Sequence, residues 1–255
     1  MPWIELEGAV NVRDLGGLPA ADGAETVPGR LVRSDNLQAL SPADVARLVS
    51  GIGVRTVVDL RSPAEVRSEG PAPLDRVPEV QRAHYPVVAE GRGTNSVAEV
   101  LLSGREQDKS RYPDDPVCGR YLGYLENSPG NVVAAIRSIA RSEGAVIVHC
   151  AAGKDRTGVV VALALSAVGV EPAVVIADYA ATSERLVPVF ERLCNSPTYA
   201  SGLAGKLMES HLARPETMAA FLEQMDVRHG GVHRWLAANG FTDADLNLLR
   251  VKLAY

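Results

Sequence analysis

The chain has 255 residues, 46% of them hydrophobic, with 26 basic and 31 acidic side chains and a net charge of −5 at neutral pH. That length buries a sizeable core within one domain over residues 1–255, and the acidic balance speaks against nucleic acid as a main partner. No apolar run approaches the ~18 residues of an integral membrane segment, and three scattered cysteines offer neither a disulfide framework nor a zinc set.

Taken in chain order, the first residues lack a basic, apolar leader, so a cytoplasmic location, or export without a classical signal peptide, is expected. Ser41-Pro42-Ala43-Asp44 starts a helix, with serine as cap and proline in the first turn. Val45, Leu48 and Val49 continue it at helical spacing, and Gly51 and Gly53 end it. Val54 to Leu60 reads as a buried strand, and His84 to Val88 as a weaker one. Residues 89–116 are polar and turn-rich, as in a surface loop or lid. Val132 to Arg141 has Val132, Ala135, Ile136 and Ile139 on one helical face. Ala145 to Val148 is a buried strand, and Val159 to Leu165 a buried helix. Past residue 170, helices are expected over Pro172 to Leu193, Pro215 to Val227, Val232 to Ala238 and Asp243 to Leu253, the last capped by Thr242. This order predicts an α/β fold: a central, mostly parallel sheet flanked by helices, with a helical C-terminal region.

Between the last strand and its helix lies His149-Cys150-Ala151-Ala152-Gly153-Lys154-Asp155-Arg156-Thr157-Gly158. A loop at a helix amino end offers unpaired N–H groups and a favourable dipole to an anion. Cys150 and Arg156 would face that anion from opposite sides. Converging amides and Arg156 favour the thiolate, and a guanidinium fork suits two phosphate oxygens. Ala151, Ala152, Gly153 and Lys154 supply the cradle, with Gly153 expected at positive φ. Thr157 is placed to cap the helix or meet the sulfur. Gly158 is expected to let the helix back closely onto the sheet, and His149 to prop the loop from behind. The chemistry implied is attack of a thiolate on a phosphate monoester, with no metal or other cofactor.

The loop matches His-Cys-x5-Arg-Thr/Ser, and its Gly-Lys-Asp-Arg-Thr-Gly form resembles the atypical bacterial members of the protein-tyrosine and dual-specificity (lipid) phosphatase family. Asn11-Val12-Arg13-Asp14-Leu15-Gly16-Gly17, Leu31 to Leu37, Val57 to Ser62, Ala177-Asp178-Tyr179 and the segment from Gly230 to Leu253 resemble further motifs of that family. Only Val88 to Pro116 matches poorly. The resemblance implies a phosphatase-like fold and a cysteinyl-phosphate intermediate. It also implies a helical lid over about residues 188–227, where a second small core is the competing reading.

A general acid for the leaving oxygen is worth ~100- to 10,000-fold. Asp155 is the candidate implied by the resemblance. Asp59, at the end of a neighbouring strand, is a second, or else a structural partner of Arg61. Asp114 and Asp115 in a proline-bounded turn are a third. Arg13, Asp14 and Arg33 are candidates for the pocket rim or its scaffold. The substrate reading is a phosphorylated protein, with phosphotyrosine first and phosphoserine or phosphothreonine beside it, or a phosphoinositide. A nucleotide or sugar phosphate is the alternative under the same chemistry, and a non-catalytic phosphate-binding module the alternative of another class. A rhodanese-type sulfurtransferase also puts a cysteine in such a loop, but would not require Thr-Gly after the arginine.

Overall fold

The computed structural model describes residues 3–88, 97 and 105–254. Five strands form one sheet: β1 (Arg13–Asp14), β2 (Leu31–Ser34), β3 (Val54–Asp59), β4 (Gln81–His84) and β5 (Ala145–His149). Their order is β1-β2-β5-β3-β4, parallel throughout except for β1, which runs antiparallel to β2. β5 is therefore the middle strand, and whatever follows His149 leaves from the centre of the sheet's carboxyl edge. In open α/β sheets that edge is where ligands collect.

The strands are buried on both faces, as parallel strands must be. Ala145 and Ile147 of β5 join Val32, Leu48, Val54 and Val57 on one side. Val146, Val148 and Cys150 point into the larger core on the other, with Val58 and the helices. That alternation is the period of two of a pleated strand.

The helices, in chain order, are α1 (Pro42–Ala46), α2 (Pro63–Glu69), α3 (Arg105–Arg111), α4 (Pro116–Asn127), α5 (Pro129–Arg141), α6 (Asp155–Ala167), α7 (Pro172–Ala181), α8 (Leu186–Asn195), α9 (Ala200–Leu203), α10 (Pro215–His229), α11 (Val232–Ala238) and α12 (Asp243–Leu253). α6 carries the expected apolar run and is buried from Arg156 to Leu165. It lies against the sheet, α4, α5, α7, α11 and α12. No helix among the described residues is long and apolar enough to cross a membrane.

Several expected elements move. The strand read over His84 to Val88 ends at His84, because Tyr85 makes the last bond, to the Asp59 carbonyl at 2.9 Å, and Pro86 has no amide to continue. The helix read from Pro172 to Leu193 is two. Pro188 would lack its amide and clash inside a continuous helix, so the chain turns over 182–185 and restarts with Pro188 in the first turn of α8. The loop read over 89–116 contains α3; residues 89–96 and 98–104 lie outside the described residues. The apolar stretch over 188–227 divides. Met218, Phe221 and Met225 of α10 belong to the main core, whereas Leu207 and Leu212 are exposed.

Asp245 joins the C-terminal helix to the layer beneath β5. It closes a capping box with Thr242 at the start of α12, and it accepts bonds from Arg137 at 3.1 Å and Arg141 at 2.8 Å, both on α5. Asp245→Ala removes the carboxylate half of the capping box and both links at a nearly inaccessible position. A loss of about 1–3 kcal/mol is expected, read as a lower urea midpoint with an unchanged slope. An unchanged midpoint would show that α12 is held by its apolar face alone.

Candidate active site

The loop between β5 and α6 is fixed from outside by its carbonyls. Leu60 N–H donates to His149 O at 3.0 Å and Asn36 N–H to Ala151 O at 3.0 Å. Asn11 Nδ2 donates to Ala152 O at 2.9 Å, and Arg33 Nη2 to Gly153 O at 2.6 Å. With four of the loop's carbonyls drawn outward, three of them successive, the amides turn the other way. Among the described residues, none accepts from the amides of Ala151, Ala152, Gly153 or Lys154. No side chain caps α6. The arrangement is an anion cradle of backbone donors around Cys150, at a helix amino end. Gly153 has φ +67°, and a Cβ there would meet Ser34 O at 2.5 Å. Only glycine fits.

A buried charge cluster stands behind the cradle. Arg13 bonds Asp178 at 2.8 Å, Arg33 bonds the other oxygen of the same carboxylate, and Asn11 accepts from Arg13 at 2.6 Å. Arg13 and Arg33 are fully buried. Burial works against the Asp178 carboxylate, but the two guanidiniums hold it below its ordinary range. Arg13 and Arg33 are thus scaffold and not rim. Asp14 braces a turn, accepting from Gly16 and Gly29 amides.

Arg156 is held by Glu65, a residue the sequence reading did not single out. Glu65 closes the Ser62 capping box of α2 and meets Arg156 with both oxygens, at 2.5 and 2.9 Å. Burial opposes ionisation of Glu65, yet Arg156 and Ser62 keep it below the usual carboxylate value. The far end of the guanidinium is therefore occupied. Its Nε edge remains as the two-donor face for an anion.

Asp59 accepts from Arg61 at 2.9 and 2.7 Å and from Arg82 at 2.8 Å, with no accessible surface. Burial alone would raise it, but the Arg61 and Arg82 guanidiniums hold it far below the carboxylate range. A carboxylate so committed does not donate a proton. Burial lowers His149, leaving a neutral ring behind Cys150 whose Nδ1 lies 3.3 Å from the Cys150 carbonyl oxygen. Asp115 caps α4 through the Val117 and Cys118 amides and accepts from Thr217 at 2.6 Å, while Asp114 is exposed. That turn is a helix start and not a free acid loop.

Three further expectations need revision. The Thr157 hydroxyl caps nothing; it is buried with no hydrogen-bond partner among the described residues. Gly158 makes room for the Tyr179 ring, 3.0 Å from where its Cβ would stand, and not for the sheet. The Lys154 side chain is engaged outside the loop, its Nζ donating to the His211 carbonyl at 3.0 Å, so that only its amide can serve the cradle.

That contact belongs to a cover built from α8, α9 and the turn Met208–His211. Tyr199 packs on Ala151, Ser196 donates to Glu69 at 2.8 Å, and Arg192 meets Asp35 at 3.3 Å. Cys150 is 1% exposed. Asp155, by contrast, keeps 24% of its side chain accessible. Burial would raise its carboxyl, but Lys154, Arg120, Tyr121 and Arg156 bring it below its ordinary value. Among the described residues, no group of three or more His, Cys, Asp or Glu side chains is placed to hold a metal ion.

Of the partners that sequence reasoning missed, Glu65 carries a local signal, the Ser-Pro-Ala-Glu capping box. Tyr121, which bonds Asp155, carries none.

Comparison with known proteins agrees with this geometry. The model of the tyrosine phosphatase family matches residues 4–255. The chain is 29% identical to the triple specificity protein phosphatase PtpB of Mycobacterium tuberculosis, over 96% of this chain and 97% of that protein. It is 31% identical, over 89% and 80%, to a Cupriavidus necator protein provisionally named a tyrosine-protein phosphatase. A tyrosine-protein phosphatase of Nostoc commune is 26% identical over 92% and 78%.

Glu65→Gln keeps the side chain's size and one acceptor but breaks the two-point hold on Arg156. We expect kcat/KM for a phosphate monoester to fall ~10- to 100-fold while the capping box keeps α2 folded. Steady-state kinetics beside a thermal melt check this, and wild-type kcat/KM would show that Arg156 needs no such hold.

Proposed function

The chain belongs to the tyrosine phosphatase family, and from that premise we propose that it hydrolyses phosphate monoesters through a cysteinyl-phosphate intermediate. The carrying observation is the cradle around Cys150, with carbonyls drawn outward by Leu60, Asn36, Asn11 and Arg33 and with Arg156 anchored on Glu65. The phosphate's non-bridging oxygens sit among the amides and on the Nε edge of Arg156. The Cys150 thiolate attacks phosphorus, forming an S–P bond as the bond to the leaving oxygen breaks. Asp155, whose proton the bound phosphate dianion favours against the surrounding cations, gives that oxygen its proton. Water then attacks phosphorus, the S–P bond breaks, and the proton released returns to Asp155. The amides and Arg156 stabilise the charge that builds on the equatorial oxygens in both steps.

Phosphotyrosine is the first substrate on this reading, with phosphoserine, phosphothreonine and phosphoinositide monoesters beside it. The triple specificity in the name of the M. tuberculosis relative supports that breadth. A phosphoprotein requires the cover over residues 186–211 to move, because Ala151 of the loop is packed under Tyr199 and Lys154 is tied to His211. A second reading rests on the space left beneath the cover. A cavity of about 330 Å3 beside Ala151, lined by Asp35, Gln38, Arg192 and Tyr199 among others, has the size of a small-molecule site and favours a nucleotide or sugar phosphate.

Cys150→Ser abolishes turnover but retains phosphate binding, since the anion is held by amides and Arg156; acid quench of wild type during turnover traps phosphocysteine. Asp155→Asn lowers the rate on an alkyl phosphate far more than on an activated aryl phosphate, whose leaving group needs no proton. Normal turnover by the serine variant contradicts the covalent route. Equal losses on both esters remove Asp155 as the acid. Phosphate release from phosphotyrosyl peptide, phosphoseryl peptide, phosphoinositide and nucleotide decides between the substrate readings.

A further inference from the structure

Asp155 is not held by the loop alone. The Tyr121 hydroxyl, from α4, donates to Asp155 Oδ1 at 2.7 Å, and the Tyr179 hydroxyl, from α7, lies 2.7 Å from that of Tyr121. Both rings are almost wholly buried, edge-to-face at 6.1 Å between centroids, and Phe221 of α10 packs edge-on against Tyr121 at 6.0 Å. A phenol has one proton to donate. The Tyr121 proton goes to the carboxylate, which only accepts when ionised, so Tyr179 must donate to Tyr121. The direction of the chain is thereby set: Tyr179 to Tyr121 to Oδ1. No described residue donates to Asp155 Oδ2.

We propose that Tyr121 and Tyr179 form a two-hydroxyl relay that positions Asp155 and keeps Oδ1 an acceptor in both protonation states, so that the transferable proton resides on Oδ2. The inference rests on Asp155 being the general acid. Tyr121 and Tyr179 touch neither substrate nor reacting atoms, and they are positioning residues. Gly158 belongs to the same device, since a side chain there would displace the Tyr179 ring. α7 also links the acid to the cradle. Asp178, the residue before Tyr179, clamps Arg13 and Arg33, and Arg33 holds the Gly153 carbonyl.

The groups facing Asp155 are Lys154 and Arg156 on either side of it in the chain, Arg120, Tyr121 and Tyr124 on α4, Tyr179 on α7 and His211 in the cover. Of these, only the Tyr121 hydroxyl makes a hydrogen bond to the carboxylate. It favours the ionised form, so removing it raises the acid's pKa. The alkaline limb of kcat/KM, where the protonated acid is lost, then moves to higher pH.

The test is the pH profile of kcat/KM for O-phosphoserine in a peptide and for 4-nitrophenyl phosphate, with the full chain as wild type, Tyr121→Phe, Tyr179→Phe, Asp155→Asn and the Tyr121→Phe/Asp155→Asn double variant. Tyr121→Phe should shift the alkaline limb upward and slow the alkyl ester on the order of tenfold, with much less effect on the aryl ester. Tyr179→Phe, which leaves the Tyr121 bond to the carboxylate in place, should move both in the same direction by less. It is the variant that tests the relay if Tyr121→Phe folds poorly. In the Asp155→Asn background, Tyr121→Phe should cost nothing more. A limb unmoved in both tyrosine variants, with Asp155→Asn still abolishing it, overturns the relay and leaves Asp155 as the acid. A limb that survives Asp155→Asn overturns both.

Discussion

A cradle of backbone amides binds an anion only if the loop cannot relax by turning its carbonyls inward, and the folded chain is arranged around preventing that. The carbonyls of His149, Ala151, Ala152 and Gly153 are drawn outward by donors from three separate stretches of the chain, namely Leu60, Asn11, and Arg33 with Asn36. Each donor is fixed in turn. Leu60 ends β3 beside β5, and Asn36 follows β2 on the other side. Asn11 and Arg33 belong to the cluster around Asp178. The parallel neighbours of β5 therefore do more than complete a sheet, because their carboxyl ends supply the restraints that make the next loop a binding site.

The price of that design is buried charge. Arg13, Arg33, Arg61 and Arg156 are almost inaccessible, and each would be costly without a partner. Each has a carboxylate: Asp178 for the first two, Asp59 for Arg61 and Glu65 for Arg156. Most of these pairs hold the backbone, and only Arg156 keeps a donor edge toward the anion. The division also separates the nearby aspartates. Asp59 and Asp178 are locked between cations, while Asp155 retains an oxygen without a donor and partial contact with solvent.

The site and the fold were legible to different degrees. The strand-loop-helix frame from Ala145 to Leu165 was clear because its residues are contiguous and its apolar runs are local signals. The helices Val232–Ala238 and Asp243–Leu253 were readable to the residue, since their amphipathic spacing and Thr242 cap are local signals. β2 was obscure because a four-residue strand carrying the fully buried Arg33 has no apolar pattern. Pro188 was visible but weighed too little, and it splits what periodicity alone would join. Contacts over more than ninety residues, such as Glu65 with Arg156 or Asn11 with Ala152, leave no trace in spacing. Thr157 and Gly158 stand where expected but serve otherwise, because a residue's neighbours across helices are set by packing.

The central claim is that phosphate is bound by the inward-facing amides of this loop, and nuclear magnetic resonance reads those amides one by one. Titration of inorganic phosphate into the Cys150→Ser protein should move the amide protons of Ala151, Ala152, Gly153 and Lys154 downfield together, saturating at the concentration that saturates binding. Phosphate binding that leaves those four resonances in place would contradict the account.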